Sequence, residues 1–113
     1  MGLIRICSLE EMSDLQGAAF ETKTSMGARQ IFVVRKGRQF FGYVNSCPHT
    51  GAPLNIVPGG FLSYDKKHIL CSTHGALFEI DSGYCVSGPC KNDSLVPVSL
   101  EKKNGYLFVD ERR

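Results

Sequence analysis

The sequence predicts an all-β protein built from antiparallel strands, with little helix. Short segments rich in Ile, Val, Phe and Tyr recur along the chain, and Gly, Asn and Pro separate them, as is typical of β proteins. Two such segments flank a tight turn at residues 36–38, which contains Gly37. With 113 residues the chain has the length of one domain, so we expect residues 1–113 to form a single unit.

The individual elements can be assigned in chain order. Ser8-Leu-Glu-Glu11 has the spacing of a helical capping box, but Gly17 follows closely, so we expect only one helical turn there. The dipeptide Asn104-Gly105 predicts the turn of a final hairpin. Strands are expected at residues 4–7, 18–23, 30–35, 39–44, 68–70, 77–80, 95–100 and 106–109, with 30–35 and 39–44 paired as the clearest hairpin.

Composition and charge exclude several classes of function. The chain is 42% hydrophobic and 21% charged, values that suit a folded globular domain. A net charge of +2 is too small to indicate a nucleic-acid or membrane partner. Apolar runs of only a few residues predict no transmembrane helix, and the N-terminus lacks the pattern of a secretory signal, so we expect a cytoplasmic protein. In that reducing compartment, an odd number of cysteines, five, favours metal binding over disulfides.

Two short segments, one inside the Gly- and Pro-rich stretch at residues 45–60 and one after it, each combine a thiol with an imidazole. Cys47 precedes His49 by two residues, and Cys71 precedes His74 by three. Zinc fingers usually draw two thiolates from one segment and two imidazoles from another, whereas here each segment supplies one of each. This division suits a Rieske [2Fe-2S] centre, in which two His replace two Cys on one iron. Zinc on the same four residues is an alternative, while a Cys–His nucleophile would lack a third, orienting group.

The strings CPHTGAPL (residues 47–54) and CSTHGALFEIDSG (residues 71–83), followed by SGP, resemble a Rieske-type ferredoxin. The resemblance extends over residues 40–109. It implies the Rieske iron–sulfur fold, an antiparallel β-sandwich or barrel base with a cluster-binding subdomain inserted at residues 45–89. It also implies the cluster ligands, with one iron bound by Cys47 and Cys71 and the outer iron, nearer the surface, bound by His49 and His74.

The same resemblance implies that the protein carries one electron at a time and is not itself an enzyme. An NAD(P)H-dependent flavoprotein reductase would supply the electron, and a terminal oxygenase would accept it. Both partners would dock transiently near His49 and His74, on an apolar patch of Pro48, Pro53, Leu54 and Leu77. Two alternatives stay open: the small subunit of an assimilatory nitrite reductase, and a non-redox binding module on the same fold that holds zinc or nothing.

Residues around the motifs predict the reduction potential. High-potential respiratory members of the family carry an extra Cys on each loop, where this chain has Ala52 and Thr73. They also carry Ser and Tyr hydroxyls after the second His, where this chain has Ala76 and Phe78. Without these hydrogen-bond donors, the potential is expected at the low end of the Rieske range, about −150 mV rather than +300 mV.

Several other residues have simpler interpretations. Gly51 and Gly75 are expected to let backbone N–H groups point at the cluster sulfurs. The gap between the two motifs is a few residues longer than in common bacterial members, and the extra length is expected as a hairpin tip at residues 63–68. The remaining assignments are buried thiols at Cys7, Cys85 and Cys90, a solvated edge histidine at His68 and a covering loop at residues 87–89. Lys66 and Lys67 are expected in a solvated turn, with steering of an acidic partner near the cluster as the alternative.

Overall fold

The computed structural model describes residues 3–24, 27–48, 53–54, 60–71, 75–89 and 92–110. Within these ranges ten strands and a single 3-10 turn at Leu9–Glu11 account for the regular structure, which confirms the all-β prediction. The strands are β1 (Leu3–Ser8), β2 (Gln16–Thr24), β3 (Gly27–Lys36), β4 (Gln39–Val44), β5 (His68–Leu70), β6 (Leu77–Glu79), β7 (Cys85–Ser87), β8 (Pro97–Val98), β9 (Leu100–Lys103) and β10 (Tyr106–Asp110). No helix in the described part of the chain is long and apolar enough to cross a bilayer.

The strands form three antiparallel sheets. Their orders are β1-β10-β9 in the first sheet, β2-β3-β4-β8 in the second and β5-β6-β7 in the third. The predicted hairpin of β3 and β4 is confirmed, with Lys36 opposite Gln39 at its turn. Strand β3 lies between two neighbours in its sheet, and its central residues 31–34 are fully buried. Burial on both faces explains why this stretch reads as a continuous apolar run.

The prediction of one strand at residues 95–100 is wrong. Pro97 and Val98 pair with β4 in the second sheet, whereas the chain from Leu100 onward pairs with β10 in the first sheet. The chain therefore changes sheets at Ser99, whose carbonyl accepts a hydrogen bond from the N–H of Asp110. Pro97 has no N–H to donate, which shortens the ladder on this edge strand.

Strand β7 was not predicted, because it has only three residues and lies between two glycines. It forms by pairing with β6, where Phe78 lies opposite Cys85 and Leu77 opposite Ser87, with a bulge between the two pairs. Strand β6 ends at Glu79, so the predicted residue Ile80 belongs to the following turn. The single helical turn near the N-terminus is confirmed, with the Ser8 side chain as its cap.

One hydrophobic core joins the second sheet to the third. It includes Phe32 and Tyr43 from the second sheet, Phe61 from the connecting segment, and Phe78 from the third sheet. The rings of Phe32 and Phe61 stack with centroids 4.6 Å apart. The Tyr43 hydroxyl donates to the Ile80 carbonyl at 2.7 Å, which fixes the turn after β6 against the second sheet.

The Tyr43 phenol stays protonated, and therefore able to donate, over the whole physiological range. Burial, with a smaller contribution from the charge of Asp81, raises the pKa of Tyr43 to about 12. The third sheet, which carries one of the two Cys-His segments at its β5–β6 connection, is thereby held in one orientation on the second sheet.

Candidate metal centre

The first cysteine of the predicted site lies just beyond the end of β4. Cys47 is 1% exposed. The backbone before it is fixed by the second sheet, because the N–H of Asn45 donates to the carbonyl of Gln30 on β3 at 2.9 Å. The N–H of Ser46 donates to the carbonyl of Val44 at 2.9 Å. The path of the chain into the first loop is thus set by the neighbouring strand β3.

A buried asparagine closes this first loop, and sequence analysis missed it. The Asn45 side-chain oxygen accepts a hydrogen bond from the N–H of Leu54 at 2.9 Å, nine residues further along the chain. Asn45 is only 9% exposed, and a buried amide needs such a partner. The signal was available in the sequence, since Asn45 is a polar residue directly between a buried strand and Cys47.

The second cysteine follows β5 directly and holds its loop from both ends. Cys71 is 0% exposed, its N–H donates to the Ala76 carbonyl at 2.9 Å, and its carbonyl accepts from the Gly75 N–H at 2.7 Å. Gly75 adopts φ +72°, a conformation that glycine tolerates best. The Gly75 N–H itself therefore closes the turn, and the prediction that the two glycines let neighbouring backbone N–H groups point at the sulfurs stays a prediction, because Gly51 and residues 72–74 lie outside the described residues.

The two cysteines converge on the same core. Cys47 and Cys71 belong to one cluster of buried residues, together with Ala76, Phe78 and Cys85. His49 and His74 lie outside the described residues, as do Gly51, Ala52 and Thr73. Within the described ranges, no three His, Cys, Asp or Glu side chains come together as a metal site.

Burial of the two thiols fits a bound metal. A thiolate without a counter-charge is disfavoured in an apolar core, whereas a metal ion stabilises the deprotonated sulfur that binds it. Each buried thiol is followed within three residues by a histidine, so the chain offers two sulfurs from the core and two imidazoles beyond them. This donor set suits an iron–sulfur centre with mixed ligands.

The loop at residues 87–89 packs directly against the second cysteine loop. A Cβ atom at Gly88 would lie 2.7 Å from the Cα of Ala76, and Gly88 has φ +104°. Just before it, the Cys85 thiol donates to the Ser87 carbonyl, with sulfur and oxygen 3.3 Å apart. Only glycine allows the two backbones to approach this closely.

We expect Gly88→Ala to lower the free energy of unfolding by about 2–5 kcal/mol, through a positive-φ cost and a clash with the loop backbone. Gly27→Ala is the matched control, because Gly27 has φ +109° but its added Cβ would meet nothing within 4 Å. In the control, the free energy of unfolding should fall by only about 1–2 kcal/mol. Urea unfolding of both variants measures the difference, and equal losses would contradict the close packing of Gly88 on Ala76.

The predicted apolar patch is partly corrected. Pro53 is exposed, and Pro48 and Leu77 are half-buried, as a surface patch requires. The prediction that Leu54 belongs to this patch is wrong, because Leu54 is 0% exposed and lies in the core. Its N–H donates to the side-chain oxygen of Asn45, which holds it there.

The structure also places most of the remaining residues that the sequence analysis singled out. Cys7 and Cys85 are buried as expected, and Cys90 lies outside the described residues. His68 is half-buried on β5, the edge strand of the third sheet. Residues 63–68 form a hairpin tip as predicted, with Leu62 bridged to Ile69 beneath it.

Comparison with known proteins agrees with this arrangement. The model of the family described as "Rieske [2Fe-2S] domain" matches residues 3–102. Ferredoxin CarAc of Metapseudomonas resinovorans is 30% identical over 109 residues, which cover 94% of this chain and 91% of that protein.

Two solved structures have the same fold over nearly the whole chain. A chain of the complex of reduced oxygenase and oxidized ferredoxin in carbazole 1,9a-dioxygenase matches with a TM-score of 0.75 and 26% identity, covering 97% of this chain and 94% of that one. The ferredoxin of carbazole 1,9a-dioxygenase from Nocardioides aromaticivorans IC177 matches with a TM-score of 0.77 and 19% identity, covering 96% and 97%.

Proposed function

This chain belongs to the Rieske [2Fe-2S] domain family, whose cofactor is one [2Fe-2S] cluster, and we propose that it carries single electrons between redox proteins. The convergence of the buried Cys47 and Cys71 on one core, each shortly before a histidine, carries this proposal. We assign Cys47, Cys71, His49 and His74 as the four ligands. Residues 1–113 would form one domain, with residues 45–89 as its cluster-binding subdomain.

The residues of the chain have distinct parts in this function. Cys47 and Cys71 would hold the inner iron in the core, and His49 and His74 the outer iron nearer the surface. When bound, the cluster supplies a reversible one-electron couple. The hydrogen bond from Leu54 to Asn45 and the two backbone bonds of Cys71 would hold the loops in place around the cluster, which would keep the reorganisation of the protein on electron transfer small.

The partners are proposed from the relatives. One similar structure is a complex of a reduced oxygenase with an oxidized ferredoxin, and one relative that matches over nearly its full length is a ferredoxin. We infer that this chain passes its electron to a terminal oxygenase in the cytoplasm and receives it from an NAD(P)H-dependent flavoprotein reductase. Docking near His49 and His74 would use the exposed Pro53 and the half-buried Leu77.

Visible absorption and low-temperature EPR of the purified protein test the proposal. The oxidised protein should be red-brown, and the dithionite-reduced protein should have a lower average g-value than clusters with four cysteine ligands, because two ligands are imidazoles. A colourless protein that iron and sulfide do not reconstitute would contradict electron transfer and favour the zinc or binding-module alternative.

A further inference from the structure

We propose that Asn45 is the positioning residue of the first Cys-His segment: its side chain sets where the Cys47 sulfur lies and thereby controls how firmly the cluster is retained. This inference rests on the proposed electron-carrier function, because it takes Cys47 as a cluster ligand. Asn45 acts on the sulfur through the backbone on both sides of Cys47.

Asn45 links three separate stretches of the chain. Its N–H donates to the Gln30 carbonyl on β3 at 2.9 Å, and its side-chain oxygen accepts from the Leu54 N–H at 2.9 Å. The first bond fixes Asn45 to β3, which has a neighbouring strand on each side in the second sheet. The second bond therefore fixes Leu54, beyond the far end of the segment that carries Cys47, to the same strand.

Both ends of this link are buried, which makes its loss destabilising. Asn45 is 9% exposed and Leu54 is 0% exposed. A buried N–H that loses its acceptor destabilises the folded state, because it has already given up its hydrogen bond to water. Leu54 also belongs to the same cluster of buried residues as Cys47. A displaced Leu54 would therefore alter the packing around the Cys47 sulfur.

The second Cys-His segment does not depend on a side chain in this way. The Cys71 N–H donates to the Ala76 carbonyl at 2.9 Å, and the Gly75 N–H donates to the Cys71 carbonyl at 2.7 Å. Both are backbone bonds, which survive most substitutions of the side chains. In the first segment, no backbone hydrogen bond ties the described residues 53–54 to residues 45–48, so the Asn45 side chain makes this connection.

The two segments should therefore differ in how readily they release the cluster. Each segment would supply one sulfur and one imidazole, and the cluster leaves only after one segment has moved away from it. Loss of the Asn45 acceptor lowers the free energy needed to displace the first segment locally, but it leaves the backbone bonds of Cys71 unchanged. Without the Asn45 side chain, Cys47 should be the first of the two sulfurs to become accessible.

Three variants test this inference. Asn45→Leu removes the acceptor and keeps a side chain of similar size. Thr22→Val is the matched control, because Thr22 is 2% exposed, its hydroxyl donates to the Arg29 carbonyl at 3.2 Å, and it lies on β2, two strands from β4. Both variants lose one buried hydrogen bond from a side chain to the backbone, and neither changes the net charge. Asn45→Asp keeps an acceptor oxygen of the same reach and serves as the rescue variant.

The first measurement is the rate at which each oxidised holoprotein loses its visible absorbance in the presence of EDTA. Asn45→Leu should release its cluster about tenfold faster than the wild-type protein, because a buried N–H has lost its acceptor. Thr22→Val should stay within about twofold of the wild-type rate, because its lost bond lies outside both Cys-His segments. Asn45→Asp should release the cluster at least about threefold more slowly than Asn45→Leu, because its carboxylate accepts from the Leu54 N–H.

The second measurement shows which sulfur becomes accessible first. N-ethylmaleimide is added with the EDTA, and labelling of each cysteine is followed by mass spectrometry of the digested protein. In Asn45→Leu, Cys47 should be labelled about tenfold faster than Cys71, whereas in Thr22→Val the two rates should agree within about threefold. A general loss of stability would expose both sulfurs together and would not change this ratio.

Equal release rates of Asn45→Leu and Thr22→Val, or labelling of Cys71 before Cys47 in Asn45→Leu, would overturn the inference. If Asn45→Leu folds but holds no cluster, retention of the cluster by both Asn45→Asp and Thr22→Val would support the inference, and its absence from Asn45→Asp would overturn it. Failure of the proposed function itself has a different signature, because the wild-type protein would then hold no cluster to release.

Discussion

Protein carrying Cys71→Ala should be purified without a cluster, colourless and without a reduced-state EPR signal. The Cys71 thiol is fully buried, and alanine leaves one of the two expected sulfur ligands missing. A [2Fe-2S] cluster needs four protein ligands. With only three, a water molecule would have to take the fourth position inside a closed core, which would make the bound cluster unstable. We therefore expect iron and acid-labile sulfide to fall from near two atoms each per chain to near zero.

Cys85→Ala provides the matched control for this loss. Cys85 is 0% exposed, belongs to the same buried cluster as Cys71 and lies on the neighbouring part of the third sheet. Its thiol donates to a backbone carbonyl, a role that alanine loses at a cost of about 1 kcal/mol. The control should retain iron and colour. A coloured Cys71→Ala protein, or a colourless and folded Cys85→Ala protein by circular dichroism, would contradict the ligand assignment.

Ala76→Ser and Phe78→Tyr should each raise the midpoint potential, by roughly 60–130 mV. A hydrogen bond to a charged group contributes about 1.5–3 kcal/mol, and for a one-electron couple about 59 mV corresponds to 1.4 kcal/mol. Both positions are fully buried and share the core of the two cysteines. A hydroxyl donor added there stabilises the more negative, reduced state, because that state is the stronger acceptor.

Phe41→Tyr is the control for the added phenol. Phe41 is only half-buried and lines an open groove beside Ser82 and Pro97, where a hydroxyl can reach water. Its potential should stay within about 20 mV of wild type, a shift that corresponds to about 0.5 kcal/mol. Protein-film voltammetry compares all three variants. Absence of an upward shift in both core variants would contradict the explanation of a low potential by the missing donors.

Local sequence determined much of this protein. The apolar run at residues 31–34, with a glycine turn after it, was sufficient to predict the β3–β4 hairpin, because a short turn with glycine joins neighbouring antiparallel strands. The register was decided by the structure, in which Lys36 pairs with Gln39 and the predicted turn at residues 36–38 is reduced to two residues. Ser8 was sufficient to predict a single capped turn. The spacing of Cys47, Cys71 and the histidines after them indicated the metal chemistry, since ligand type and order are written directly in the chain.

The tertiary structure alone decided how the two loops are closed and what covers them. The hydrogen bond from Leu54 to Asn45 and the contact of Gly88 with Ala76 join residues nine and twelve positions apart. The division of residues 95–100 between two sheets depends on which neighbours offer unpaired edges. These features follow from long-range partners, and a residue's local pattern does not specify which distant backbone group it will meet once the core has formed.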